Sequence, residues 1–287
     1  MDLHVGRGVT NGALTVFPVW NGDGGRRSYT TDVGDITVGE VEDGPAVLGL
    51  TATNGGEQPV LVLEGHLFEG GWQHRMATKS VLLAPARPTL VEVACVEQWR
   101  WGGDVRQASR GRRATPFVRS GATATPPGHD VQGEVWRRVD TYRRGVEVDD
   151  TGSLVGHVDR ARGDVRRLVR RMRPLPGQSG VVVAIAGQPL MMEVFDDEQT
   201  LREQFDSIVT AAGLDALGQP EVVTPSRRAR RMAERIDLMR PRPTERMDLG
   251  IRSSTRNQHL DVSVLSWQRR AVHLCVTNLK HPSLRAV

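Results

Sequence analysis

The chain reads as an α+β protein, and three observations carry that reading. Short runs of β-formers punctuated by Gly, Asn and Asp fill the first hundred residues. Two almost purely apolar runs lie near residues 180–195. Beyond residue 129, apolar residues recur at helical spacing in two stretches.

In order, the predicted strands are Thr15–Trp20, Ile36–Val38, Val47–Thr51, Val60–Leu63, Ser80–Ala84 and Thr89–Val96. Turn clusters such as Asn21-Gly22-Asp23-Gly24-Gly25 and Asn54-Gly55-Gly56 separate them. This spacing suggests a sandwich or strongly curved sheets, and nothing in it resembles a doubly wound nucleotide fold. Past Trp101 the periodicity fades, so residues 102–129 read as a long loop or flap. Asp130 caps a helix carrying Val131, Val135, Val139 and Tyr142. Residues 149–163 read as a second loop. Strands follow at Gly180–Gly187 and Met191–Phe195. Asp197 then caps a helix with Leu201, Phe205, Ile208, Val209 and Ala212 on one face, and Gly213 is placed to end it. A short Arg-rich helix is expected around 226–240. Two late strands, His259–Val264 and Ala271–Val276, are expected to rejoin the sheet. The expected organisation is one α+β domain over residues 1–287. Its strand-rich part covers about 10–101, and its mixed part covers 130–287 with two or three helices.

Composition narrows the function classes. The 287 residues include only 2 Cys, which excludes a disulfide scaffold and a four-cysteine zinc site. No apolar run approaches the length of a membrane span, and the first residues lack a signal-peptide pattern. The expectation is a soluble, cytoplasmic protein with no membrane partner. Net charge is +4. Only Lys79 and Lys280 are lysines among 38 basic residues, leaving 36 arginines. Arginine's planar fork suits phosphate, yet a GC-rich genome also replaces lysine throughout.

The densest polar segment is Glu64-Gly65-His66-Leu67-Phe68-Glu69-Gly70-Gly71-Trp72-Gln73-His74-Arg75. Its glycines permit close approach of a ligand, and Glu64 and His66 share a face if a strand runs through them. The same composition fits a solvated turn. The second cluster is Cys95-Val96-Glu97-Gln98-Trp99-Arg100-Trp101. On a strand, Cys95, Glu97, Trp99 and Trp101 would face one way; the tryptophans are either a platform for a flat ring or core anchors. Cys95 reads as a buried structural thiol rather than a nucleophile. His66 and His74 stand at no recognised zinc spacing, so no metal is assigned, and no cofactor is named. His273 reads as a packed or edge histidine.

The stretch from Pro59 to Trp101 resembles the domain family associated with ADP-ribosylglycohydrolase and rhodanese-phosphatase proteins. The residues that carry this are Leu63-Glu64-Gly65, Gly70-Gly71, Gln73, Arg75, Val81-Leu82, Cys95-Val96-Glu97 and Arg100-Trp101. Gln132-Gly133-Glu134-Val135-Trp136, Pro176–Val181 and Glu193-Val194-Phe195 extend the similarity. The sequence departs from the pattern at His74, where a small or amide residue is expected, and at Trp99, where glycine is expected.

The resemblance implies binding of an ADP-ribose-like or NAD-derived nucleotide, and, if the protein is an enzyme, hydrolysis of such a compound. In that reading Glu64 and Glu97 are the catalytic carboxylates, while Gly70, Gly71, Gln73, Arg75, Arg100 and Trp101 bind the ligand. The alternative is a non-catalytic protein that uses arginine-rich surfaces for nucleic acid or an acidic partner. Those surfaces lie at Arg160–Arg173 and Arg227–Arg246.

Overall fold

The computed structural model describes residues 2–22, 25, 27–41, 48–125, 128–143 and 151–285. Within these the protein is α+β and strand-rich, with 17 strands and five α-helices. Contacts divide the chain into two compact units, Met1–Arg27 with Gly163–Ala286, and Ser28–Arg162. Parts of some sequence expectations lie outside the described residues: 23–24 of the first turn cluster, 47 of the third strand, 126–127 of the expected flap, and 149–150 of the second loop.

The chain opens in the first unit with β1 (Leu3–Val5), β2 (Val9–Asn11) and β3 (Leu14–Asn21), and then builds the second unit. That unit contains β4 (Ile36–Gly39), β5 (Gly49–Asn54), β6 (Val60–Val62), β7 (His66–Gly70), β8 (Arg75–Ala77), β9 (Val81–Leu83), β10 (Pro88–Cys95) and β11 (Arg106–Arg113). Six of these strands close into a barrel in the order β10-β5-β4-β11-β7-β8, while β6 and β9 form a separate pair. Closure satisfies every edge of that sheet internally. Buried Val38, Leu50, Ala52, Phe68, Met76, Val91 and Val93 belong to its strands.

The expected flap at 102–129 instead holds a strand and a helix. β11 reads Arg-Gln-Ala-Ser-Arg-Gly-Arg-Arg, with a register shift between Ser109 and Arg113. Its buried positions are polar, Gln107 and Arg113, so no apolar alternation marks it. Helix α1 (Pro116–Ala124) follows, capped by Thr115, whose side chain accepts from the Val118 amide at 3.2 Å. Helix α2 (Val131–Asp140) starts at the expected cap, Asp130, which accepts from the Gly133 amide at 2.8 Å.

Helix α3 (Leu154–Val169) occupies the second expected loop. Its sparse apolar residues, Leu154, Val158, Ala161, Val165 and Leu168, do keep helical spacing, but Gly156, Gly163 and the arginines dilute the pattern.

Back in the first unit come β12 (Gly180–Ile185), β13 (Gln188–Phe195), α4 (Glu198–Ala216) and α5 (Ser226–Asp237). They are followed by β14 (Arg242–Arg246), β15 (Ile251–Arg256), β16 (Leu260–Trp267) and β17 (Arg270–Asn278). These strands make one antiparallel sheet, β1-β3-β12-β13-β17-β16-β15-β14, with β2 beside β3. The late strands rejoin as expected, β17 pairing with β13.

Asp197 caps α4 by accepting from the Gln199 and Thr200 amides. Gly213 does not end that helix. It sits inside it, where a Cβ would lie 2.9 Å from Val165 Cγ1, and the left-handed turn comes later at Gly218. A close approach, rather than a helix stop, accounts for the glycine. One core cluster joins Phe17, Val182, Met192, Val194, Val262 and Leu274 of the sheet to Ala229, Met232, Ala233 and Ile236 of α5. No helix among the described residues is long and apolar enough to cross a membrane.

Candidate functional site

The site residues expected from sequence all fall in the barrel unit. All but Trp101 belong to one of three groups: a part-buried ion-pair clamp, a polar barrel interior, and the pairing of Glu64 with Arg119, beside which Glu69 pairs with Arg112.

The clamp joins the end of β10 to the glycine loop after β7. β10 stops at Cys95, one residue short of the expected Thr89–Val96, so the alternation of faces considered for Cys95–Trp101 does not arise. Gln132 of α2 holds that strand end: its amide accepts from Cys95 N and donates to Cys95 O, both at 2.8 Å. Two residues on, Glu97 is buried, and its Oε2 accepts from Arg100 Nε at 3.0 Å, Arg100 Nη2 at 2.6 Å and the His74 amide at 3.0 Å. Burial pushes the Glu97 carboxyl up, but the Arg100 guanidinium and the His74 amide together hold it below its ordinary value.

Arg100 in turn donates to Gly71 O at 2.6 Å, Gly70 O at 3.1 Å and Gly102 O at 3.2 Å. Gly71 has φ +57°, and a Cβ there would meet the Gln107 side chain at 1.9 Å, so only glycine fits. His74, the departure from the family pattern, accepts the Gly70 amide on Nδ1 at 2.9 Å. Burial lowers its pKa, with Glu97 opposing.

The second group spans the barrel interior. β8 and β4 stand on opposite sides of the closed order, and Arg75 of β8 reaches Glu40, the residue after β4, at 3.7 Å. Arg75 is fully buried and donates from Nη1 to Gln73 Oε1 at 2.9 Å. Gln107 donates to Gln73 O at 3.1 Å. Five buried polar atoms here lack a hydrogen-bond partner among the described residues: Nε and Nη2 of Arg75, both Glu40 oxygens, and Gln107 Oε1. Cys95 borders this group; burial pushes its thiol up to about 11, with Arg75 opposing and Glu40 adding to the rise. A thiol so placed is protonated at neutral pH and is not a nucleophile.

Glu64 lies in the turn before β7, not on a continuing strand with His66. Its Oε1 accepts from Arg119 Nη2 at 2.6 Å, and its carbonyl from Arg113 Nη2 at 2.7 Å. Glu69 is buried and accepts from Arg112 Nε at 2.7 Å. His66 bonds Ser109 Oγ at 3.0 Å, and burial with nearby Arg113 pushes its pKa down to about 4. Each of the three carboxylates Glu64, Glu69 and Glu97 is therefore engaged by an arginine. Among the described residues no group of three His, Cys, Asp or Glu side chains is arranged to hold a metal ion.

Glu97, Arg100, Gly70 and Gly71 thus come together, as do Gln73 and Arg75. Trp101 stands apart, 53% exposed.

Open space lies beside α2. A cavity of about 270 Å³ is lined by Gln98, Trp99, Gly133, Trp136, Arg137, Asp140 and Arg143. A second, of about 470 Å³, shares Gly133 and Arg137 and adds Thr125, His129, Asp130, Glu134 and Arg138. Arg143 pairs with Asp140 at 2.9 Å, and Arg137 pairs with Glu134. The buried Trp136 Nε1 has no hydrogen-bond partner among the described residues. Arg137, Asp140 and Arg143 carried no sequence signal, because on their own they read as ordinary charged helix surface.

The family model of the ARG and Rhodanese-Phosphatase-superfamily-associated Protein domain, ARPP-1, matches residues 2–277. No curated protein and no solved structure matches the chain. The matched span takes in both units and every side chain of the clamp, the barrel interior and the α2 cavities, and the chain belongs to the ARPP-1 domain family.

Proposed function

We propose that this protein binds an ADP-ribose-like or NAD-derived nucleotide in the paired cavities along α2. The observation that carries the reading is the lining itself, in which two tryptophans, Trp99 and Trp136, and two arginines, Arg137 and Arg143, share one hollow. An adenine ring stacks on an indole face. Guanidinium forks bind pyrophosphate oxygens. Asp140 is a partner for ribose hydroxyls. The adjoining cavity, reached past Gly133 and Arg137, gives room for the second half of such a molecule.

In this reading the Glu97–Arg100 clamp is a positioning device. It fixes the backbone that carries Gln98 and Trp99 into the cavity. Glu64 and Glu97 act as catalytic carboxylates only if Arg119 and Arg100 release them, so the reading is of binding first. A cytoplasmic location belongs to the same proposal.

Thermal unfolding with ADP-ribose, NAD, AMP and ribose 5-phosphate tests it. A ligand at about 100 times its dissociation constant stabilises by about 2.7 kcal/mol, enough to raise the melting temperature measurably. The expected result is a rise with ADP-ribose that Trp99→Ala and Arg137→Ser abolish. Both side chains are more than half exposed, so neither change disturbs the core. No rise with any of the four, or a rise that both variants keep, overturns the proposal.

A further inference from the structure

We infer that the solvent face of α5 is a docking surface for the phosphate backbone of duplex nucleic acid. The helix is divided cleanly. Ala229, Met232, Ala233 and Ile236 are buried against the sheet at i, i+3, i+4 and i+7. The opposite side carries Arg227, Arg228, Arg230, Arg231 and Arg235, all exposed, together with exposed Glu234. An even spread of the chain's 36 arginines would put one or two in a segment of this length, and α5 has five in 12 residues. General replacement of lysine by arginine does not produce that local density.

Two of the five are tethered: Arg228 donates to Gly187 O and Arg230 to Val5 O. The other three, Arg227, Arg231 and Arg235, make no hydrogen bond or ion pair with any described residue. They stand at i, i+4 and i+8, so they form one row with a pitch of about 6 Å along the helix. A row of guanidinium forks at regular pitch, none of them in an ion pair with a described residue, fits a repeating series of phosphates. The other arginine-rich segment is less free, because Arg160 contacts His157 and Arg167 is paired with Asp164. α5 contains no aromatic residue, so single strands, which are held by base stacking, are not its target.

The test is fluorescence anisotropy with labelled duplex DNA and duplex RNA over a salt series, on the full chain and on the triple variant Arg227→Gln, Arg231→Gln, Arg235→Gln. The wild type is expected to bind at about 50 mM salt, with affinity falling steeply as salt rises. Losing three phosphate contacts should weaken binding at least about tenfold and flatten the log–log salt slope by about 2.7. An unchanged melting temperature establishes that the variant is folded. The inference is overturned if the wild type binds neither duplex, if the variant binds equally well, or if polyglutamate or anionic vesicles compete better than duplex.

Discussion

Glu97 and Arg100 are three residues apart, yet their pairing controls a loop some thirty residues earlier. The carboxylate takes both Nε and Nη2 of the arginine, and the same guanidinium holds the carbonyls of Gly70 and Gly71. Arg100→Ala would leave Glu97 buried without its main partner and release the loop. A loss of about 2–4 kcal/mol is expected. Arg100→Lys should recover only part of it, since an ammonium cannot hold a carboxylate and two carbonyls with one planar fork. Urea unfolding reads both values; an unchanged midpoint for the alanine variant would refute the clamp.

The pair across the barrel calls for a double-mutant cycle. Arg75→Met strands the Glu40 carboxylate in the interior, and a cost of about 3–5 kcal/mol follows. Replacing Glu40 by Gln as well should restore much of that loss, because no buried charge then remains. Additive losses in the double variant would mean that the two groups do not interact.

His66 makes stability pH-dependent in a defined window. Its imidazole ionises at about 4 in the folded protein against 6.5 for the ordinary side chain. Above pH 6.5 it is neutral in both states. As pH falls from 6.5 to 4 the unfolded chain takes up the proton first, so folding weakens across that range, by on the order of 3 kcal/mol when complete. In His66→Gln, which can keep a bond to Ser109, the fall between pH 6.5 and 4 should be shallower by that amount. Parallel pH curves for the two proteins would contradict it.

Neither cysteine is in a disulfide, both are buried, and burial pushes the Cys95 thiol up to about 11. At pH 8 a chromogenic disulfide reagent should therefore titrate no rapid thiol in the native protein and two in denaturant. A fast-reacting native thiol would show that the barrel end opens readily.

Elements with an apolar period were legible from sequence, and those with a polar interior were not. The runs at β3, β12 and β13 and the caps at Asp130 and Asp197 state their structure in residues that solvent would reject or that backbone amides require. β7, β8 and β11 bury Glu69, Arg75, Gln107 and Arg113, and each has a partner far away in sequence: Arg112, Glu40, Gln73 and Glu64 respectively. No local pattern reports such partners. The same limit applies to the site. The glycines, Glu97 and Arg100 stood out as a dense polar motif, and they do meet. Trp136 entered only through the family resemblance, and Arg137, Asp140 and Arg143 not at all, because a cavity wall is made by what faces a helix surface as much as by the surface itself.

The large sheet, unlike the barrel, ends in open edges, and β14 is one of them. An edge strand offers unpaired amides and carbonyls to any other strand it meets. Here the offer is withdrawn three times over. Pro243 has no amide hydrogen to give, the register shifts between Pro243 and Glu245, and exposed Arg242 and Arg246 set charge at both ends of the strand. Two copies approaching along this edge would meet a gap in the hydrogen-bond ladder and like charge against like, so growth of the sheet from chain to chain stops at β14.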